Sequence, residues 1–320
     1  MLMTHGWFGT QTRTSRPANR PNAVTIGNFD GIHLGHQAML ARLTARAASV
    51  GAAPAVLTFE PHPREIFTPA SAPTRLTSLR EKLEILRSLG VAHVHVCRFS
   101  KPFAALSADE FVQQILVRGL NARYVLVGDD FRFGAKRAGD FALLQRLGQA
   151  HGFEAEALHT VEAAGQRASS TAVREALAEG DMAMAAQLLG RPYSISGRVV
   201  GGDQLGRKIG YPTANIQLKH NKPPVKGIFA VRVQGLEQPD WPGVASLGTR
   251  PTVHANGRPT LEVHLFNFDR SIYRQHLRVE FLHKLRDEAK FPDLDTLIAQ
   301  IDLDARQARE LLNVELRGMG

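Results

Sequence analysis

Two histidines, His33 and His36, lie three residues apart where a strand pattern gives way to a helix pattern. In the run AVTIGNFDGIHLGHQAML the apolar stretch stops at Gly27, and from Met39 onward apolar residues recur at helical spacing. A helix N-terminus presents unpaired backbone N–H groups and the positive end of the helix dipole, which favour an anion. Imidazoles placed there can donate hydrogen bonds to charge that develops on a phosphate. The spacing therefore predicts a site that handles nucleotide phosphates.

Gly35, between the two histidines, carries no side chain and lets a phosphate or a purine approach the backbone. A lone histidine is usually a surface residue or a satisfied core residue. Here the strand, turn and helix signals all fall where phosphate chemistry requires them, and this favours the functional interpretation.

Three other runs in the first half carry polar side chains. SSTAVREAL places Ser169, Ser170 and Thr171 at a helix start and Arg174 one turn later, although a plain N-cap with a solvated arginine also explains it. FEPHPREIF contains Pro61 and His62, which can be structural as well as functional. VGDDFRFG offers Asp130 and Phe131 after a strand, and a simple turn with buried aromatic side chains explains it nearly as well.

The second half contains the run GGDQLGRKIGYPTANI. Its glycines, including Gly206 and Gly210, permit a loop to fold over a nucleotide, and Thr213 and Asn215 follow Pro212 in an extended segment. Magnesium takes hard oxygen ligands and usually few of them from protein, so a hydroxyl and an amide carbonyl are suitable. The alternative for this segment is an ordinary edge strand.

The run TLEVHLFNF alternates with a period of two, so that Glu262, His264 and Phe266 share one face of a strand. The carboxylate there is either a solvated outward residue or a functional one. The chain has no GxxxxGK[ST] motif and no HRD or DFG set, which excludes the common kinase designs.

Composition limits the class of protein. A chain of 320 residues that is 43% hydrophobic is long enough for two domains with hydrophobic cores, and 22% charged residues is ordinary for a globular protein. The one cysteine, Cys97, excludes a disulfide framework and is expected to be a buried inert thiol. No apolar run approaches the roughly 18 residues of a membrane span, so we expect a soluble, cytoplasmic protein without a membrane partner. The basic residues behind the net charge of +9 are scattered, so no nucleic-acid partner is expected.

The order of elements predicts the fold class. The first half alternates strands and helices, which predicts a doubly wound, Rossmann-like parallel sheet with ligands at the carboxyl ends of its strands. The second half has short alternating segments and turn residues, which predict a small antiparallel β-barrel, followed by a C-terminal helix from about Leu294 to Leu311. We place the domains at 23–187 and 188–320. Residues 1–22, basic and without acidic residues, are expected to be a frayed extension rather than a transit peptide.

The motifs resemble those of a known family. GNFDGIHLGH resembles the HxGH signature of nucleotidyltransferases, in their flavin branch, and GRKIGYPTAN resembles the ATP-binding segment of riboflavin kinases. From about Ala23 to Leu312 the chain is similar to the bacterial bifunctional riboflavin kinase/FMN adenylyltransferase family. The resemblance implies magnesium-dependent phosphorylation of riboflavin by ATP in the C-terminal domain. It also implies transfer of AMP from a second ATP to FMN in the N-terminal domain, giving FAD and pyrophosphate.

The resemblance also implies residue roles. In adenylyl transfer His33, His36 and Arg174 stabilise developing charge, and in the kinase reaction Glu262 is the general base. The ATP contacts of the adenylyltransferase are Gly27, Phe29, Asp30, Gly31, Gly35, Ser170 and Thr171. Contacts to flavin or nucleotide are Pro61, His62, Asp130 and Phe131. The ATP contacts of the kinase are Gly206, Gly210, Pro212, Thr213 and Asn215, of which Thr213 and Asn215 are also the metal ligands.

Some positions depart from the family pattern. Ser246 stands where an asparagine is usual, Arg274 where a glycine is typical, and Tyr211 where phenylalanine is common. Two other functions remain open at this point: a single-function nucleotidyltransferase that acts on another phosphorylated acceptor, and a non-enzymatic protein that binds flavin or nucleic acid. The oligomeric state, kinetic constants, preferred flavin redox state and transfer of FMN between sites are not encoded in any motif.

Overall fold

A computed structural model describes residues 1–6, 20–159, 162–163, 165–202, 206, 209–219, 222–249 and 259–314. The chain divides into two compact units, one of Met1–Pro73 with Lys82–Ala168 and the other of Thr74–Glu81 with Ser169–Gly320. Residues 169–187, which are predicted from the sequence to belong to the first domain, are therefore grouped with the second unit. The domain boundaries at 187 and 188 stay a prediction.

The first unit is built on a six-stranded sheet in which every pairing is parallel. In spatial order its strands are β1 (Leu2–His5), β4 (His93–Arg98), β3 (Ala53–Glu60), β2 (Asn22–Ile26), β5 (Ala122–Gly128) and β6 (Glu154–Leu158). All five residues of β2 are buried, as expected of a central strand covered on both faces. A two-stranded pair, β7 (Glu162–Ala163) and β8 (Gln166–Arg167), lies outside this sheet.

Helices connect these strands. They are α1 (Leu34–Ser49), α2 (Pro63–Phe67), α3 (Leu79–Ser88), α4 (Lys101–Ala104), α5 (Ala108–Phe111), a π-helix over Val112–Gly119, and α6 (Phe141–His151), with short 3₁₀ turns at Pro69–Ser71 and Ala135–Arg137. Ser107 and Glu110 form a capping box at the start of α5. Cys97 is buried, and burial raises the pKa of its thiol to about 12, so it is inert as expected.

The strand order positions the site. It reverses at β2, because β3 and β4 lie on one side of this strand and β5 and β6 on the other. In open α/β sheets ligands bind where the order reverses, at the carboxyl ends of the strands. The histidine run follows β2 and the VGDDFRFG run follows β5, so both emerge at that point. The predicted doubly wound sheet is confirmed.

The expected frayed N-terminus is wrong for the first residues, because Leu2–His5 forms the edge strand β1. The hydroxyl of Thr4 is buried and lies 2.9 Å from Nε2 of His93 and 2.8 Å from Nδ1 of His95. Nε2 of His95 lies 3.0 Å from the carbonyl oxygen of Gly6. These buried polar contacts hold a strand that is too short to show a sequence pattern. Residues 7–19, with Arg13 and Arg16, lie outside the described part of the chain.

The second unit contains a closed, entirely antiparallel barrel. Around the barrel run β10 (Ala214–Gln217), β13 (Pro259–Leu265), β12 (Trp241–Thr249), β11 (Gly227–Gln234), β14 (His276–Arg286) and β9 (Tyr193–Val200). Two helices, α7 (Ser170–Glu179) and α8 (Met182–Leu189), precede it, and α9 (Leu294–Leu311) follows. The predicted barrel and C-terminal helix are confirmed.

Helix α9 is fixed to the outside of the barrel. The guanidinium of Arg286 donates to both carboxylate oxygens of Asp304, which is buried. On the same helix Ala305 and Ala308 pack against Phe266, just after β13. An arginine that pairs with a carboxylate through two parallel bonds fixes orientation as well as distance. None of the described helices is both long enough and apolar enough to cross a membrane.

Candidate active sites

The turn between β2 and α1 has an unusual backbone. Phe29 and Ile32 have positive φ angles of 49° and 46°, and Gly31, between them, has a φ of 80°. A positive φ is a genuine outlier for a bulky or β-branched residue, and such strain tends to be found at functional sites. Phe29, Asp30 and Ile32 are buried, so the surrounding structure holds this conformation. The turn is thus a rigid platform in front of α1.

The two histidines sit on this platform. His33 is the N-cap residue of α1, and its ring stacks on that of His36 with centroids 3.8 Å apart. The ring of Phe29 lies 4.8 Å from that of His36. A Cβ atom on Gly35 would lie 3.1 Å from the ring of His33 and 3.3 Å from the carbonyl oxygen of Ala168. Glycine at position 35 therefore leaves the space that the His33 ring fills. This reason for a glycine cannot be recognised from its position in the sequence alone.

Electrostatics keep His36 neutral. Burial lowers its pKa well below the usual value of 6.5, and the charges of His33 and Lys82 lower this pKa further. Its Nδ1 is buried and has no hydrogen-bond partner among the described residues. Lys82 is itself 5% exposed, and its Nζ donates to the carbonyl oxygen of Asn28 at 2.6 Å. A buried cation therefore touches the same turn that carries the histidines.

A large cavity opens beside this turn. It has a volume of about 950 Å³, within the range of small-molecule sites, and Gly27, His62, Asp130 and Phe131 line it. Its other aromatic lining residues are Phe59, Phe67, Phe99, Phe103, Phe111 and Phe133. Basic side chains also reach it, among them Arg64, Lys101, Arg132, Lys136 and Arg137. The cavity can accept a planar ring among aromatic side chains and an anionic group at its basic residues.

His62 and Asp130, for which both structural and functional roles were open, also have structural contacts. Nδ1 of His62 accepts from the backbone N–H of Arg64 and caps α2, and Pro61 precedes it without lining the cavity. The carboxylate of Asp130 accepts from Arg167 at 2.8 Å, with both side chains largely exposed. Exposed ion pairs contribute little to stability, so this one does not hold Asp130 in place.

The SSTAVREAL run lies in the second unit. Ser169 caps α7, because its Oγ accepts from the backbone N–H of Ala172 at 3.1 Å. Ser170 and Thr171 follow in the first turn, and Arg174 donates through Nε to the carbonyl oxygen of Thr74 at 2.6 Å. The run thus does contain an N-cap, and Arg174 is half-buried rather than fully solvated.

In the barrel, Glu262 lies within a row of polar side chains. It is directly opposite Asn215 on one neighbouring strand and Ser246 on the other. Side chains that are directly opposite on adjacent strands share one face. The hydroxyl of Thr213 donates to Oε2 of Glu262 at 3.4 Å. A Cβ atom on Gly202 would clash with the side-chain amide of Asn215, so this glycine makes room for the amide. The structure thus brings Thr213, Asn215 and Glu262 together.

The glycine loop in front of this row is described only in part, because residues 203–205 and 207–208 lie outside the described chain. Gly206 accepts from the backbone N–H of Tyr211 at 2.7 Å, and Gly210 has a positive φ of 84°, which favours glycine. Pro212 and Thr213 line a second cavity of about 510 Å³, together with Phe268 and Tyr273. The described chain has no cluster of three or more His, Cys, Asp or Glu residues that could hold a metal.

Comparison with known proteins identifies the family. Residues 15–172 match the model of the FAD synthetase family and residues 189–312 that of the riboflavin kinase family. The bifunctional riboflavin kinase/FMN adenylyltransferase of Escherichia coli (strain K12) is 49% identical over 291 residues, which cover 91% of this chain and 93% of that protein. This chain belongs to the bifunctional riboflavin kinase/FMN adenylyltransferase family.

Another member of the bifunctional family and one solved structure are also similar to this chain. The riboflavin kinase/FMN adenylyltransferase of Pseudomonas fluorescens is 48% identical over 92% of this chain and 94% of its own length. A crystal structure described as a macrolide-efflux protein from Streptococcus pneumoniae has a TM-score of 0.81 and 29% identity, and covers 97% of this chain and 99% of its own. The predicted family and both predicted domain folds are confirmed.

Two residues that contact the motifs of this bifunctional family member, Lys82 and Asp302, were not identified from the sequence. Lys82 lies in the helical run LREKLEILRS, and a lysine is rarely fully buried unless it has a partner. Asp302 lies in α9, and its carboxylate accepts a hydrogen bond from the hydroxyl of Tyr211. Neither residue belongs to a motif. Each contacts a motif residue that is distant in the sequence: Lys82 contacts Asn28, and Asp302 contacts Tyr211. Of the departures from the family, Ser246 lies directly opposite Glu262, and Arg274 has a φ of 68° that suits the usual glycine better.

Proposed function

We propose that this chain makes FAD from riboflavin in two steps. Its barrel unit phosphorylates riboflavin with ATP to give FMN and ADP, and its parallel-sheet unit transfers AMP from a second ATP to FMN and releases pyrophosphate. The presence of two nucleotide motifs in one chain carries this conclusion: GNFDGIHLGH lies in the first unit, within the match to the FAD synthetase family, and GRKIGYPTAN lies in the second, within the match to the riboflavin kinase family. A single-function nucleotidyltransferase would leave the Thr213, Asn215 and Glu262 group unexplained.

In adenylyl transfer, an oxygen of the FMN phosphate attacks the α-phosphorus of ATP and pyrophosphate leaves. His33 and His36 donate hydrogen bonds to the charge that builds on the α-phosphate, at the positive end of α1. Stacking on a rigid turn fixes both rings before the substrate arrives, which lowers the cost of orienting them. Ser170 and Thr171 bind phosphate oxygens, and Arg174 neutralises charge. Gly27, Phe29, Asp30, Gly31 and Gly35 shape the ATP site.

The aromatic cavity of the first unit is the proposed flavin site of this step. Phe131 and Phe133 stack with centroids 5.5 Å apart, and such faces suit the isoalloxazine ring of FMN. His62 and Asp130 line the same cavity and can bond to polar edges of that ring. Pro61 helps to shape the loop in front of His62.

In the kinase step, Glu262 takes the proton from the 5′-hydroxyl of riboflavin while that oxygen attacks the γ-phosphorus of ATP. Its contact with Thr213 places the proposed base beside the proposed phosphate ligand. ATP enters the 510 Å³ cavity that Pro212 and Thr213 line, and Gly206 and Gly210 let the preceding loop close over it. Positioning supplies most of the rate, as in other phosphoryl transfers.

The residues present fit a magnesium ion. Thr213 and Asn215 offer hard oxygens next to the proposed phosphate site, and Mg²⁺ usually takes only one or two protein ligands besides phosphates and water. When bound there, the ion would neutralise phosphate charge. The proposed partners are thus ATP, riboflavin, FMN and Mg²⁺, without nucleic acid or membrane, and the proposed location is the cytoplasm.

Incubation of the purified protein with ATP, Mg²⁺ and riboflavin, followed by chromatographic separation of the flavins, tests this function. We expect FMN to appear first and FAD to follow, and EDTA to stop both. If riboflavin stays unchanged and added FMN is not adenylylated, the proposal is wrong. FAD formation from FMN without any FMN formation from riboflavin would favour the single-function nucleotidyltransferase.

A further inference from the structure

We propose that Asp302, on the C-terminal helix α9, positions the ATP-binding segment of the kinase site through the hydroxyl group of Tyr211. The proposal rests on the kinase function assigned above to Thr213, Asn215 and Glu262. Asp302 is a positioning residue in this account, because it acts through Tyr211 and not on a substrate.

Tyr211 lies at the centre of the segment. Its backbone N–H donates to the carbonyl oxygen of Gly206, and its hydroxyl donates to the carboxylate of Asp302. The position and direction of Thr213, two residues later, depend on this anchored tyrosine. A shift of about 1 Å in such a group can cost a large factor in rate or binding.

A second contact from the barrel reaches the same segment. Nδ1 of His264 lies 2.9 Å from the carbonyl oxygen of Pro212, and the ring of His264 meets that of Tyr211 edge to face at 5.1 Å. Because a carbonyl oxygen only accepts, Nδ1 carries the proton. Burial lowers the pKa of His264, which keeps the ring neutral and this arrangement stable at neutral pH. His264 is also on the same strand face as Glu262, so the proposed base and the ATP segment are tied to one surface.

Helix α9 is a rigid support for Asp302. Two residues further on, Asp304 binds the guanidinium of Arg286 on β14. About two turns after Asp302, the guanidinium of Arg309 lies 4.0 Å from the ring centroid of Phe266. These contacts fix the helix independently of Tyr211. The Tyr211 hydroxyl can therefore be removed without removing the anchors of the helix.

The hydroxyl is a feature of this chain rather than of the motif. Phenylalanine is common at this position in the resembled family, and it would fill the same space beside His264 without reaching Asp302 as a donor. The positive charges of Arg306 and Arg309 also act on the Tyr211 hydroxyl. Without the hydroxyl group, the aromatic ring at position 211 would keep its packing against His264, and only the hydrogen bond to Asp302 would be lost.

Steady-state kinetics of riboflavin phosphorylation by the full chain test the proposal. We expect Tyr211→Phe and Asp302→Ala each to raise KM for ATP about tenfold, the loss expected for a hydrogen bond to a charged group. The double variant should be no worse than either single one, because both remove the same bond. Asp302→Asn keeps an oxygen acceptor and should recover most of the affinity. Titration of ATP in the absence of riboflavin should show the same order of affinities.

Two controls separate positioning from folding. Glu310→Ala removes an exposed carboxylate from the same helix and should leave KM for ATP unchanged. Adenylylation of added FMN by each variant should stay at the wild-type rate. Wild-type KM for ATP in both Tyr211→Phe and Asp302→Ala would overturn the proposal, even if Tm fell, and so would additive effects in the double variant. Failure of the wild-type chain to make FMN would instead refute the proposed kinase function.

Discussion

The imidazole rings of His33 and His36 form a stacked pair at the N-terminus of α1, with centroids 3.8 Å apart and an angle of 27° between the rings. Two stacked imidazoles cannot easily both carry a charge, and burial and Lys82 lower the pKa of His36 further. His36 is therefore neutral in the free enzyme at physiological pH. As a neutral ring it can donate one hydrogen bond without repelling its neighbour.

The first prediction concerns His36 and pH. Since its pKa lies well below 6.5, kcat/KM for FMN adenylylation should show no loss from titration of His36 between pH 8 and 6.5. His36→Ala should lower kcat for this step by about 10² to 10³, the cost of removing one hydrogen-bond donor from developing charge. Riboflavin phosphorylation should not change in the variant. The result that would contradict this account is a midpoint near the ordinary histidine pKa in the wild-type pH profile, if that midpoint is absent in His36→Asn.

The second prediction concerns Gly35. In Gly35→Ala the new methyl group would press on the ring of His33 and on the carbonyl oxygen of Ala168. We expect FAD formation from FMN to fall about 10²-fold, because the His33 ring must move from its stacked position. Thermal unfolding and riboflavin phosphorylation of the same preparation serve as controls. Unchanged FAD formation would show that the stacked arrangement is not needed for transfer.

Lys82 gives the third prediction. Lys82→Met removes the cation that holds Asn28 and lowers the pKa of His36, so NMR titration of the histidine rings should show this pKa moving upward. Adenylylation of FMN should decline, since the turn that carries His33 and His36 loses a support. Lys290→Met, which changes an exposed lysine, should alter neither quantity. An unchanged His36 titration in Lys82→Met would contradict the electrostatic coupling.

The fourth prediction concerns acid stability. Burial lowers the pKa of His95 to about 4, whereas in the unfolded chain it is about 6.5. Between these values the unfolded state binds the proton and the folded state does not, so the free energy of unfolding falls as the pH falls through this window. The shift corresponds to about 3 kcal/mol by pH 4.

His95→Gln removes the titrating group while its amide can still reach Thr4 and Gly6, so it should flatten this part of the pH dependence. Urea unfolding between pH 7 and 4.5 measures the effect. His283→Gln, at an exposed position, is the control and should keep the wild-type slope. Equal slopes in wild type and His95→Gln would show that His95 does not drive acid destabilisation.

The sequence predicts the local parts of the sites well. His33, Gly35 and His36 lie within four residues on one turn, and the strand and helix periods around them decide where they point. The same holds for Thr213 and Asn215 at the start of β10. Glu262 is on a strand whose period of two assigns its face, and only the register adds Asn215 and Ser246 as its neighbours.

What the sequence does not predict depends on tertiary contacts. Lys82 reaches Asn28 across 54 residues, and Tyr211 reaches Asp302 across 91. A lysine is usually exposed, whereas the fold buries Lys82. The short strand β1 is recognisable only from its pairing with β4, because four residues give no reliable period. Burial and topology, rather than local propensity, decide these positions.

In the proposed function, two independent sites on one chain act in series, and mixing two variants that each lack one site tests this. His36→Ala alone should convert riboflavin to FMN and stop there, while Glu262→Ala alone should make FAD only from added FMN. A mixture of the two variants with riboflavin, ATP and Mg²⁺ should then produce FAD. Loss of both activities in either variant, or FAD formation from riboflavin by either variant alone at the wild-type rate, would contradict the claim.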